Sequence, residues 1–119
     1  MTMADKIIAP SLFHAEVGNT LWKNCRAGLV ALEDAQNLYK KATQLVDKFI
    51  DTKSLTPAAL RRACRLKHSV YDMYYLAAAD RYDAHVMSLD KRLVKLAEEE
   101  GLHFMEFTTI PWDYPNVPL

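Results

Sequence analysis

A chain of 119 residues, half of them hydrophobic and a quarter charged, has the size and composition of one globular domain spanning 1–119. Fifteen basic residues offset fifteen acidic ones, so overall charge points to no partner, and any nucleic-acid contact has to come from a local basic patch. No apolar run approaches the ~20 residues of a membrane-spanning helix and no signal-peptide core follows Met1, so a cytoplasmic protein is expected.

In chain order, Lys6-Ile7-Ile8-Ala9 is a short apolar run ended by Pro10 and reads as a strand. Pro10-Ser11 then opens a helix to about Ala27, with Gly28 as its stop. Its apolar positions, among them Leu12, Phe13, Val17, Leu21 and Trp22, wrap more than one face and predict a largely buried helix. Leu32 to Val46 is amphipathic, with Leu32, Ala35, Leu38, Ala42 and Leu45 three or four apart. Lys48 to Asp51 is a weak strand. Thr56-Pro57 reads as an N-cap with proline at the first helical position, opening a helix to about Lys67. Ser69 caps an apolar helix to about Tyr82, Ala84 to Ser88 is a strand, and Asp90 to Glu100 is a helix stopped by Gly101. His103 to Phe107 is a last strand, and residues 108–119 form an irregular tail. Cys25 and Cys64 have no metal-site spacing and read as two buried thiols.

Short strands alternating with helices imply an α/β fold, a parallel sheet with helices on both faces. Ligands in such folds gather at the carboxyl ends of the strands, where helices begin. Glu16, Asp72 and Asp90 all fall there. Each also has a plain structural role: Glu16 favoured by its helix dipole, Asp72 the partner of Ser69 in a capping box, Asp90 an N-cap. Together, without matching cations, they would repel one another, and Mg²⁺ or Mn²⁺ relieves such repulsion through oxygen ligands. Lys91, Arg92 and Lys95 follow Asp90, and Arg61, Arg62, Arg65 and Lys67 precede Asp72. They are either solvated helix faces or contacts for nucleic-acid phosphates. The four histidines show no zinc spacing, and no serine or cysteine sits in a nucleophile motif.

Pro10-Ser11-Leu12 with Glu16-Val17 and Asn19, His68-Ser69-Val70-Tyr71-Asp72 with Tyr75-Leu76-Ala77, and Ser88-Leu89-Asp90-Lys91-Arg92-Leu93 resemble, in order and spacing, the PIN-domain ribonucleases. The likeness is nearest to the VapC-like toxins of toxin–antitoxin pairs and covers about Lys6 to Phe107. It implies a three-layer α/β/α fold and a Mg²⁺- or Mn²⁺-dependent endoribonuclease, often dimeric and inhibited by an antitoxin protein. By that resemblance Glu16, Asp72 and Asp90 are the catalytic metal ligands and Ser88 is the small hydroxyl residue before the last aspartate; beside such a site Ser88, Lys91 and Arg92 are candidate RNA contacts.

The chain departs from the pattern at its start. Members of the family normally begin with a strand ending in aspartate, of the form V-D-x-S, ahead of the segment that Lys6 to Ala9 resembles. Nothing here corresponds to it, and Asp5 lies at the wrong end of its strand. The resemblance therefore implies a fold truncated at its N-terminus, three acids in place of four, and a gap in the middle of the sheet. A shortened start, a natural remnant, or a second copy completing the surface through Ile110 to Tyr114 would each account for it. An unfilled centre would favour association, so a homodimer or higher oligomer is expected. The reading that competes with an impaired ribonuclease is a non-catalytic remnant that oligomerises or binds a partner.

Overall fold

The computed structural model describes residues 6–88, 91–102 and 104–106. The chain order is β1 (Ile7–Pro10), α1 (Leu12–Arg26), α2 (Leu32–Leu45), β2 (Lys48–Ile50), α3 (Thr52–Leu66), α4 (Val70–Tyr82), β3 (His85–Ser88), α5 (Lys91–Glu99) and β4 (Phe104–Glu106). The four strands form one sheet in the order β2-β1-β3-β4, every neighbouring pair parallel. Ile8, Ala9 and Pro10 are buried in succession, as are Val86, Met87 and Ser88. Consecutive burial means that both faces of these strands are covered, as a parallel sheet between helix layers requires. Among the described residues no helix is long and apolar enough to cross a membrane.

The gap implied by the missing strand is not there. β1 pairs with β2 through Ile8↔Lys48, Ala9↔Phe49 and Pro10↔Ile50, and on its other side with β3 through Ile7↔His85 and Ile8↔Val86. An open centre would leave buried ladder donors and acceptors unpaired, which is costly, and β1 removes that cost by lying directly against β3. The order turns at this pair: the chain leaves β1 toward one edge and later returns to β3 on its opposite side. Their carboxyl ends therefore bound the crevice where ligands of open α/β sheets collect.

Three further expectations need correcting. First, α1 is buried only along Phe13, Val17, Leu21 and Asn24, while Trp22 is 52 % exposed with the Arg26 guanidinium over its ring. α1 packs on β1 and α2 and leaves its outer side to solvent. Second, α3 begins at Thr52, so Pro57 lies inside the helix. Asp51 caps it, accepting from the Lys53 amide at 3.1 Å. The amide that proline lacks would have bonded the Lys53 carbonyl; Lys53 and Pro57 are both exposed, so water can serve that oxygen instead. Third, Cys25 is half-buried, but Cys64 is exposed.

At the carboxyl ends of β1 and β2 two helix starts cap each other. The Thr52 hydroxyl accepts from the Leu12 amide at 2.9 Å, the Ser11 hydroxyl accepts from the Thr52 amide at 3.0 Å, and the two hydroxyls bond at 2.8 Å. Ser11 thus serves α3 rather than its own helix, and Thr52 serves α1. On the opposite side of the molecule, Glu100 receives Arg62 and Arg65, and Arg62 also reaches Asp80 at 3.0 Å. The Arg65 hydrogen bond, opposed by some desolvation and helped by the charge of both guanidiniums, holds the Glu100 carboxyl below its ordinary value.

Two measurements check these points. Thr52→Val keeps the shape but removes the shared cap, and should cost about 1–2 kcal/mol in urea unfolding, with an unchanged midpoint counting against mutual capping. Because Glu100 is depressed on folding, its stabilisation is complete above the unfolded value of 4.5 and is lost as pH falls through the folded one. Glu100→Gln should accordingly lower the thermal midpoint near neutral pH, and the difference from wild type should close in acid.

Candidate active site

α1 follows β1 directly, and α4 runs back to the sheet with its start beyond the turn at Lys67 and His68. Lys67 adopts the left-handed conformation (φ 54°) and ends α3. Ser69 then caps α4, its hydroxyl accepting from the Tyr71 amide at 3.4 Å. Asp72 so falls in the first turn of α4, where the helix dipole favours a carboxylate. Glu16 lies in the second turn of α1 and is half-buried.

Tyr75, one turn beyond Asp72, joins these two acids. It is 2 % exposed. Burial first, then the charge and hydrogen bond of Glu16, then the charge of Asp72 push its ionisation far above the usual phenol range. A single buried phenol thus feels both carboxylates. On the outer side of Asp72, His68 Nδ1 stands 3.6 Å from its Oδ2, an ion pair whenever His68 is protonated. His68 and Asp72 face Arg92, Leu93 and Leu96 of α5 across a pocket of about 270 Å³.

The charges of Glu16 and Asp72 both act on Tyr75, and the structure brings Asp72 and Arg92 together across one pocket. Ser88 ends β3 with 2 % exposure, its backbone paired with Glu106. Lys91 opens α5. Asp90 lies outside the described residues, as do His103, Phe107 and the tail from Thr108 to Leu119. Among the described residues no three His, Cys, Asp or Glu side chains are grouped to hold a metal ion. Glu16 and Asp72 offer carboxylate oxygens, donors suited to hard cations such as Mg²⁺ and Mn²⁺ and poorly suited to soft ones.

Two site residues escaped the sequence reading, His68 and Tyr75. The signal for both was nearness to Asp72 in sequence: Tyr75 follows it by one turn of the same helix, and His68 precedes the Ser69 cap. Nothing local said that the tyrosine would find a glutamate on another helix. A larger groove of about 590 Å³ runs between α1 and α2, lined by Leu21, Trp22, Leu32 and Tyr39 among others, and includes neither Glu16 nor Asp72.

No family model matches the chain. Ribonuclease VapC3 of Pyrobaculum aerophilum is 30 % identical to it over 100 residues, covering 80 % of this chain and 74 % of that protein.

Proposed function

The chain belongs to the VapC-like ribonuclease family, and from that premise we propose that it is a divalent-metal-dependent endoribonuclease, the toxin of a toxin–antitoxin pair. The observation that carries the chemistry is the place of Asp72 in the first turn of α4, lining one pocket with Arg92. Half-buried carboxylates at one edge of the sheet would repel, and a hard divalent cation ligated by their oxygens would convert that repulsion into binding. Glu16 and Asp72, with Asp90 following β3 in sequence, would hold Mg²⁺ or Mn²⁺. Bound there, the ion supplies an activated water and stabilises charge on a phosphodiester.

The chain's own residues then have separable tasks. Asp72 is short and set by the first turn of α4, so its position follows from the backbone. Arg92 and Lys91, at the start of α5, would hold the phosphates of an RNA strand. Arg92 already borders the pocket that Asp72 lines, so a phosphate seated there would meet a guanidinium on one side and the acidic site on the other. Ser88, buried beneath this edge, would fix the end of β3 rather than meet RNA at the surface. Its partners would be RNA as substrate, an antitoxin protein as inhibitor, and a second copy of the chain in a dimer, all in the cytoplasm.

Asp72→Asn should weaken Mn²⁺ binding by at least about tenfold and reduce RNA cleavage in parallel, because it removes a ligand charge and not merely a support for one. Unaltered Mn²⁺ affinity would sink the metal assignment. Arg92→Ala should weaken RNA binding evenly across sequences and lower the slope of log affinity against log salt by about 1. A slope equal to that of wild type would remove Arg92 from the RNA path.

A further inference from the structure

We infer that the pocket between His68 and α5 is a nucleobase subsite, in which the His68 ring stacks on one unpaired base of an RNA strand. The inference deepens the proposed function and rests on its RNA reading. Asp72 lines the same pocket, so the base seated there belongs to a nucleotide flanking the cleaved phosphodiester.

The lining of the pocket narrows the ligand. His68 and Asp72 form one wall, and Arg92, Leu93 and Leu96 of α5 the other, around about 270 Å³. Pockets for drug-sized ligands start at roughly 300 Å³, so this one suits a single small group. Arg92 is exposed, whereas Leu93 is buried and Leu96 half-buried, which puts the charge at the rim and the apolar surface within. A bare phosphate would gain nothing from two leucines. A purely apolar ligand would desolvate a guanidinium and a carboxylate for no return. A nucleotide has both parts, an anionic phosphate for Arg92 and a flat ring with apolar faces for the interior.

His68 is held as a platform for that ring. Lys67 turns the chain out of α3 in the left-handed conformation, and the His68 amide donates to the Ala63 carbonyl at 3.0 Å, which fixes the backbone. In the side chain, Nδ1 lies 3.2 Å from the Ser69 carbonyl oxygen and 3.6 Å from Asp72 Oδ2. Both neighbours accept, so Nδ1 points its N–H toward them and the plane of the imidazole is set. A ring ordered beforehand loses little freedom when a base lies on it. Its side chain is 38 % exposed, which leaves surface for a ligand to cover. Stacking tolerates every base, because each has a π-face, so the subsite selects for an unpaired base and not for a sequence.

The test uses the full chain and fluorescently labelled strands, with binding read by anisotropy in EDTA so that no metal is needed. The probes are a short oligoadenylate and the same strand with its bases removed. His68→Ala should weaken oligoadenylate binding by about 5–100-fold and leave the abasic strand bound as before. His68→Phe keeps a flat aromatic ring and should bring oligoadenylate binding back to within about threefold of wild type. Oligoadenylate bound equally by wild type and His68→Ala overturns the inference and leaves the RNA reading standing. Equal weakening of both strands also overturns it, because the ring would then act on the backbone or through the fold. A His68→Phe variant as weak as His68→Ala overturns the stacking role. A wild type that binds neither strand overturns the RNA reading and this inference with it.

Discussion

The pairing of β1 on both of its edges is the constraint from which the rest of the structure follows. Ile8 and Ala9 are fully buried, with β2 on one side and β3 on the other. A strand so placed has no freedom of register, because a slip would expose apolar side chains and break two ladders at once. Its carboxyl end therefore fixes where α1 starts, and the mutual cap of Ser11 and Thr52 ties the start of α3 to the same point. α4 packs on β1 and β3, which sets its position relative to α1. The meeting of Glu16, Tyr75 and Asp72 is a consequence of those three placements.

The chain deals with buried or half-buried acid in two opposite ways. At Glu100, guanidiniums of Arg62 and Arg65 close around one carboxylate and hold it ionised. That is a neutralised structural cluster linking α3 to the end of α5. At Tyr75, two carboxylates converge on an uncharged phenol. The first arrangement pairs opposite charges, while the second sets two like charges near one buried group. Membership of the VapC-like ribonuclease family gives the proposed metal and RNA chemistry its biochemical setting.

Much of this was legible in the sequence because it rests on local chemistry. The apolar runs around Ile8 and Val86, the cap at Ser69 and the glycine stop after α1 each depend on a few neighbouring residues. The failures were of a different kind. Pro57 marks a helix start by its own preference, yet the helix begins earlier because Asp51 caps it locally and Thr52 is held at the end of β2 by partners some forty residues away. Trp22 reads as core by its hydrophobicity, but α1 has only one face against the protein, and the indole lies outside it under Arg26. The expected hole in the sheet came from matching a family pattern strand for strand; the structure closes β1 onto β3, since unpaired backbone groups in a buried sheet are more costly than a changed neighbour.

The sequence by itself determined the α/β alternation, the parallel sheet class, and the acids that stand at the starts of helices. Those follow from hydrophobic periodicity and from capping chemistry, both of which act over a few residues. Only the tertiary structure decided which strand lies beside which, and that Asp72 and Arg92 would line one pocket. Such pairings depend on burial and hydrogen-bond satisfaction summed over distant segments, and no local pattern carries that sum. Asp72 and Arg92 were visible as residues; the pocket they share was visible only once the chain had folded.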